Sequence, residues 1–155
     1  MDKNKKYIHY GHKKFERVRF CPIRNRECFS KPDGGLWASP VDAKYGWSGW
    51  CEENDFRECN EDNSFTFTLR EGANVLHIRD IEYLERLPQI KSEYALWCQL
   101  DFEKLLEDGI DAIELHLSEE DVSNLTVCEG LYWSLYGWDC DSILIMNPNV
   151  IVCEG

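Results

Sequence analysis

Three short segments carry the side chains whose types best suit chemistry on a bound ligand: Ile8-His9-Tyr10-Gly11-His12, Gly35-Leu36-Trp37-Ala38-Ser39 and Asp141-Ser142-Ile143-Leu144-Ile145. The His9 imidazole can donate and accept a hydrogen bond, which suits it to orient a ligand. The Trp37 ring offers a flat face for stacking. The Asp141 carboxylate can stabilise positive charge that develops at a sugar carbon, as in glycoside cleavage.

Each of these segments has the pattern of a short strand. Tyr7 to Tyr10 is predicted to be a strand ended by Gly11, and Leu36 to Ser39 follows the Gly34-Gly35 turn signal. The run from Ser142 to Met146 is nearly all apolar, which is typical of a strand covered on both faces. We therefore expect it at the centre of a sheet.

A helix is predicted directly after the second strand. Pro40 is well tolerated in the first turn of a helix, Ser39 can cap that turn, and the helix is expected to reach Cys51. Its apolar residues recur at spacings of four and three: Ala43, Trp47 and Trp50. This stripe is expected to pack inward.

The remaining chain alternates between strand and short-helix patterns. Further strands are predicted over residues 64–69, 74–78, 111–117 and 131–136, and Asp80 and Asp101 can cap two short helices. We find no repeat and no internal linker. The sequence therefore predicts one α+β domain over residues 1–155, with a mixed, mainly antiparallel two-sheet core and short flanking helices.

Charge is distributed unevenly along the 155 residues, whose net charge is -12. Residues 1–50 carry 11 Lys/Arg and 5 Asp/Glu, whereas residues 51–155 carry 6 and 24. This acidic balance disfavours nonspecific binding to nucleic acid or membrane surfaces, which are anionic. The basic N-terminal third is predicted either to add solubility or to face a phosphate-bearing ligand.

The eight cysteines are predicted to be free thiols. The N-terminal residues lack the apolar core of a signal peptide, and no apolar run is long enough to span a membrane, so we expect a cytoplasmic protein in a reducing compartment. No two cysteines have the C-x-x-C spacing of a zinc site. The sequence therefore predicts no metal.

The order of the three segments resembles the signature strands of the ADP-ribosyltransferases of the His-Tyr-Glu type, the family that includes poly(ADP-ribose) polymerases and diphtheria-toxin-like enzymes. The resemblance covers residues 8–50 and 138–152. It implies an ADP-ribosyltransferase-like fold, NAD as the substrate, and transfer of ADP-ribose to an unknown macromolecular acceptor.

The resemblance also implies roles for individual residues. His9 matches the histidine that holds a ribose of NAD, Trp37 stands where the family has a stacking tyrosine, and Asp141 stands where it has a glutamate. His9 and Asp141 are thereby implied as catalytic residues. The residues implied to bind NAD are His9, Gly11, Gly35, Trp37, Ser39 and Tyr45.

Each of these residues also has a structural interpretation. His9 could be a hydrogen-bonded core histidine, Trp37 ordinary core packing, and Asp141 the cap of a turn or of the start of its strand. Asp139 is the alternative carboxylate, since residues two apart in an extended strand share a face. The alternative functions are a catalytically silent member of the same fold, or an acidic protein that binds or inhibits a basic partner.

Overall fold

The computed structural model of the chain describes residues 5–26, 31–78, 81–91, 98–116 and 138–154. The strands are β1 (Tyr7–Tyr10), β2 (Leu36–Pro40), β3 (Ser64–Leu69), β4 (Val75–Ile78), β5 (Gln89–Lys91), β6 (Cys98–Leu100), β7 (Ala112–Leu115), β8 (Ser142–Ile145) and β9 (Ile151–Cys153). The helices are α1 (Trp47–Glu53), α2 (Ile81–Arg86) and α3 (Phe102–Glu107). The predicted strand at 131–136 and the predicted cap Asp80 lie outside the described residues.

Seven of the described strands form one sheet, in the order β4-β7-β8-β2-β1-β3-β9, and β5 pairs with β6 in a separate hairpin. Within this described part of the chain β4 and β7 run parallel, and the other paired strands are antiparallel. The prediction of a mixed, mainly antiparallel α+β fold is confirmed. The finer prediction of a core built from two packed sheets remains a prediction.

Strand β8 lies in the interior of the sheet, between β7 and β2. All four of its residues are buried because apolar clusters cover both faces. Leu144 packs into a cluster that contains Phe102 and Leu105 of α3, whereas Ile143 and Ile145 pack on the opposite face. The predicted central position of this apolar run is therefore confirmed.

The predicted start of the first helix is wrong. Residues 41–46 form turns, and α1 begins at Trp47. The reason lies in β2, which continues through Pro40 and stays paired with β1, so that the Val41 N–H donates to the carbonyl of Lys6 at 2.9 Å. Ser39 nevertheless caps this helix: its hydroxyl accepts the N–H of Trp47 at 2.9 Å, from eight residues upstream.

Helix α3 follows its sequence signals closely. The Asp101 side chain accepts the N–H of Lys104 at 3.0 Å, as expected of an N-cap. Phe102 and Leu105 are buried against the sheet, and Gly109, with φ of 94°, ends the segment. This helix therefore closes one face of the sheet over β7 and β8.

Several of the cysteines are unbridged: Cys21, Cys51, Cys59, Cys140 and Cys153. The prediction of free thiols is confirmed for these five. Cys28 and Cys128 lie outside the described residues, and Cys98 is described through its backbone alone. In the described ranges, no helix has the length and apolar character needed to cross a bilayer.

Candidate ligand-binding site at an opening of the sheet

The sheet opens between β1 and β2. Their ladder consists of two register pairs: Tyr7 with Pro40, and Ile8 with Ser39. At the next position the His9 ring lies between the strands, and its Nδ1 is 2.7 Å from the carbonyl oxygen of Trp37. A carbonyl can only accept, so Nδ1 carries the proton and donates. A side chain therefore replaces the backbone pairing at this point.

Both strands continue beyond the opening, each with its other neighbour. β1 stays paired with β3 through His9 with Phe65, and β2 stays paired with β8 through Trp37 with Leu144. The alternation of side chains along the strands directs His9 and Trp37 toward opposite faces of the sheet. Two cavities adjoin the opening, and His9 and Trp37 line both of them.

The His9 imidazole has a partner at each of its ring nitrogens. Its Nε2 lies 3.3 Å from Nδ1 of His12, and the two rings stack with centroids 5.6 Å apart. Burial lowers the pKa of His9 below its usual value of 6.5, the hydrogen bond to the Trp37 carbonyl opposes this, and the His12 charge lowers it further. With its Nδ1 proton held by the Trp37 carbonyl, His9 can position a ligand.

The first cavity has a volume of about 230 Å³. Its apolar walls come from Ile8, Trp37, Ala38 and Trp47. Its polar and charged walls come from His9, Tyr10, Lys31, Ser39, Arg57, Asp139, Cys140 and Ser142. An apolar pocket with a few convergent polar groups is the usual form of a small-molecule site.

The Trp37 ring carries a cation on its face. The ammonium of Lys31 lies 4.9 Å from the ring centroid, and Trp138 packs edge-on against the ring at 4.7 Å. Burial lowers the pKa of Lys31, and the nearby charge of Asp139 opposes that effect. This corner of the cavity therefore accepts a positive charge over an aromatic plane, beside a carboxylate.

A second cavity of about 180 Å³ adjoins the same two residues, since His9 and Trp37 line both. Its charged walls come from Lys14, Glu16 and Arg19, with His12 beside them. Glu16 pairs with both cations, at 3.6 Å from Lys14 and 2.9 Å from Arg19. Each cavity is thus lined by two cations and one carboxylate, and in the second cavity the carboxylate pairs with both cations.

Four of the predicted site residues reach these cavities: His9 and Trp37 line both, Ser39 lines the first, and Gly35 lines the second. Gly35 has φ of 74°, and an added Cβ would come within 2.7 Å of Leu144 Cδ1. A larger residue would clash with the side chains of Leu144 and Ile23 and would strain the backbone at this positive φ. Gly35 therefore sets the path of the backbone into β2.

The two aspartates differ sharply in environment. Asp141 is 1% exposed, its N–H donates to the carbonyl of Tyr45 at 2.8 Å, and its side chain does not line either cavity. Asp139 is exposed and lines the first cavity. The expectation that they share a face is wrong, because β8 begins only at Ser142 and residues 139–141 are not a strand.

Tyr45 and Gly11 also lie outside the walls of the two cavities. The Tyr45 hydroxyl donates to the Glu53 carboxylate at the surface. Gly11 ends β1 with φ of 128°, and its N–H donates to the carbonyl of Asn63 at 2.7 Å. Both residues support neighbouring backbone instead of facing the cavities.

Lys31, Arg57 and Trp47 line the first cavity but were not predicted. Lys31 and Arg57 come from loops, whose course the sequence pattern does not define. That the basic N-terminal third faces a phosphate-bearing ligand remains a prediction, and the cavity residues Lys14 and Arg19 belong to that segment.

Comparison with known proteins adds no relative: the chain matches no protein-family model, no curated protein and no solved structure. In the part of the chain that the structure describes, no group of three or more His, Cys, Asp and Glu side chains is arranged to hold a metal ion. The site is therefore interpreted from its own geometry.

Proposed function

We propose that this chain is an NAD-binding ADP-ribosyltransferase-like protein that releases nicotinamide from NAD and transfers ADP-ribose to a macromolecular acceptor. One observation carries the proposal. His9 and Trp37, which the sequence resemblance pairs in one NAD site, are joined by a hydrogen bond of 2.7 Å at an opening of the sheet. We propose that the two sheets of that family's core divide at this opening, where the ladder between β1 and β2 has two register pairs.

The first cavity suits the nicotinamide end of NAD. The nicotinamide ring of NAD carries a positive charge, and the Trp37 face already holds the cation of Lys31 beside Asp139. A charged planar ring can take the same place when Lys31 withdraws. Loss of nicotinamide leaves positive charge on the ribose, which the Asp139 carboxylate stabilises from the cavity wall.

The second cavity suits the phosphate-bearing part of the molecule. Each cavity alone is smaller than the roughly 300–1,000 Å³ of typical ligand pockets. A ligand with two parts can use both, because His9 and Trp37 line each of them. Lys14 and Arg19 line the second cavity, where a phosphate can bind them in place of Glu16.

A catalytically silent NAD binder is the second candidate, and a specific contact favours it. Lys31 covers one face of Trp37 while Trp138 packs on the same ring. If the Lys31 ammonium stays on the Trp37 ring, NAD can bind while its nicotinamide is not stacked on that ring, and nicotinamide is then not released. Saturable NAD binding with no nicotinamide release is the result that distinguishes this candidate.

The same substitution at two neighbouring positions tests the proposal. Asp139→Asn removes a charge from the cavity wall, and we expect nicotinamide release to slow by about 10²–10³-fold with NAD affinity retained. Asp141→Asn, the matched control, changes a buried residue outside the cavity and should affect the melting temperature more than the rate. Equal rates for wild type and Asp139→Asn, with Asp141→Asn folded but inactive, would assign the catalytic carboxylate to Asp141.

A further inference from the structure

Three aromatic side chains form a surface cluster beside the first cavity: Trp47, Trp50 and Phe56. The rings of Trp47 and Trp50 stack at 5.1 Å with an interplanar angle of 12°, and Phe56 meets them edge-on at 5.7 and 5.3 Å. Phe56 is 53% exposed, and Cys51 is the buried residue of α1. The expected inward packing is not seen at the core, because Ala43, Trp47 and Trp50 are half-buried and belong to neither core cluster, so core packing does not account for the aromatic cluster.

The chain around this aromatic cluster is strongly acidic. Residues 51–62 contain six Asp and Glu and one Arg. Glu52, Asp55 and Glu58 are exposed, and within the described ranges they form no ion pair with a basic side chain. Their charges are consequently available to a partner.

The one basic residue of this segment already contacts the aromatic cluster. The guanidinium carbon of Arg57 lies 5.0 Å from the centroid of the Phe56 ring. Arg57 and Trp47 also line the first cavity, so the cluster and the cavity are continuous. A group that docks on the cluster therefore lies at the mouth of the candidate site.

We infer that the aromatic cluster binds an arginine-containing basic peptide segment of the acceptor protein and presents it to the cavity. This inference rests on the proposed function, because it names the acceptor class. Guanidinium groups stack on Trp and Phe faces while the carboxylates of Glu52, Asp55 and Glu58 balance their charge. Single-stranded nucleic acid also stacks on aromatic side chains, but it needs a basic groove, and this surface is acidic.

A fluorescein-labelled peptide of alternating arginine and glycine is the probe, with binding followed by fluorescence anisotropy in low salt. The control peptide has citrulline in place of arginine, which keeps the shape and removes the charge. We expect saturable binding of the arginine peptide and at least tenfold weaker binding of the citrulline peptide. Equal binding of the two peptides, or tighter binding of an oligothymidine, overturns the inference.

Two variants locate the binding surface. Phe56→Ala changes an exposed loop residue, and Trp50→Ala changes a residue outside the cavity lining, so neither should alter NAD affinity. Each should weaken the arginine peptide by about 5–30-fold. Val18→Ala, a control at a 91% exposed position, should change nothing. Unchanged peptide affinity in both cluster variants, with circular dichroism like that of wild type, overturns the inference.

Parallel NAD titrations separate the two proposals. If the arginine peptide does not bind while NAD still binds and nicotinamide is still released, the acceptor inference alone is overturned. Peptide binding that persists without any NAD binding overturns the proposed function and, with it, the role of the peptide as acceptor, and it supports the alternative of an acidic protein with a basic partner.

Discussion

Two groups of polar side chains on the same sheet differ in their surroundings. We call the group around the buried Glu114 the closed cluster, and the group around His9 at the first cavity the open cluster. Tyr7 and His9 are two residues apart on β1 and face the same side. The Tyr7 hydroxyl donates to the buried Glu114 carboxylate at 3.0 Å, where β1 is still paired with β2. His9 lies where that pairing stops and a cavity begins.

In the closed cluster, other side chains of the protein balance the charge of the buried Glu114 carboxylate. Glu114 has no exposed side-chain surface, and it accepts from Lys5 at 2.5 Å and from His116 at 2.7 Å, with His77 at 3.7 Å. Burial alone would raise the pKa of Glu114, but the hydrogen bonds from His116 and Lys5 outweigh it and hold the pKa at about 2. Such a cluster stabilises the fold and leaves no group for a ligand.

The open cluster keeps its polar groups at a cavity wall. Asp139 and Lys31 face the first cavity, and His9 uses one ring nitrogen on Trp37. The contrast teaches that a buried charge with every partner inside the chain is structural, whereas charges arranged around space indicate binding. The following predictions test that contrast.

The largest expected effect comes from the closed cluster. Glu114→Gln removes the buried negative charge that the Lys5 ammonium pairs with, and its amide N–H replaces an oxygen that accepts from Tyr7. We expect the free energy of unfolding to fall by about 3–5 kcal/mol, measured by urea denaturation. Glu154→Gln is the matched control, because Glu154 pairs with the neighbouring Lys6 at an exposed site and should cost less than about 1 kcal/mol. Similar losses of unfolding free energy in Glu114→Gln and Glu154→Gln would contradict the distinction between the buried and the exposed carboxylate.

The pH dependence of stability provides a second test. The pKa of Glu114 is lowered on folding from 4.5 to about 2, so its stabilisation is present above pH 4.5 and is lost as the pH falls toward 2. The shift corresponds to about 3 kcal/mol. Urea denaturation between pH 6 and pH 2.5 should show this loss in wild type and a much flatter profile in Glu114→Gln. Parallel profiles for the two proteins would refute the role of Glu114.

A smaller effect is expected at the edge of the open cluster. Ser39→Ala removes the acceptor for the Trp47 N–H and should lower the free energy of unfolding by about 1 kcal/mol. Because Ser39 also lines the first cavity, its loss should shift the start of α1 relative to the cavity wall. Amide hydrogen exchange at Trp47 should become faster than in wild type, and unchanged exchange would show that the cap is unimportant.

The sequence predicted best where one local signal decides the structure. The apolar run of β8 required a central strand, and Asp101 required a helix start, because burial and capping depend on residues close in the chain. The start of α1 was missed because strand pairing between Val41 and Lys6 overrides the preference of Pro40 for a first helical turn.

The sequence predicted some of the residues that line the two cavities and missed others, because strand patterns can be recognised in a sequence and the paths of loops cannot. His9 and Trp37 lie on strands, and strand order brings them together. Lys31 and Arg57 reach the cavity from loops, which periodicity does not describe. Asp139 and Asp141 are two residues apart, and only the exact start of β8 decides which of them is buried.

NAD binding at the opening between β1 and β2 is the central claim, and calorimetric titration of NAD tests it most directly. The titration compares wild type with Trp37→Leu, which removes the aromatic face of the cavity, and with Trp50→Leu, a tryptophan outside the cavity lining. We predict saturable binding to one site in wild type, at least about tenfold weaker binding in Trp37→Leu, and unchanged binding in Trp50→Leu. Absence of saturable binding in wild type, or equal affinity in wild type and a folded Trp37→Leu, would contradict the account.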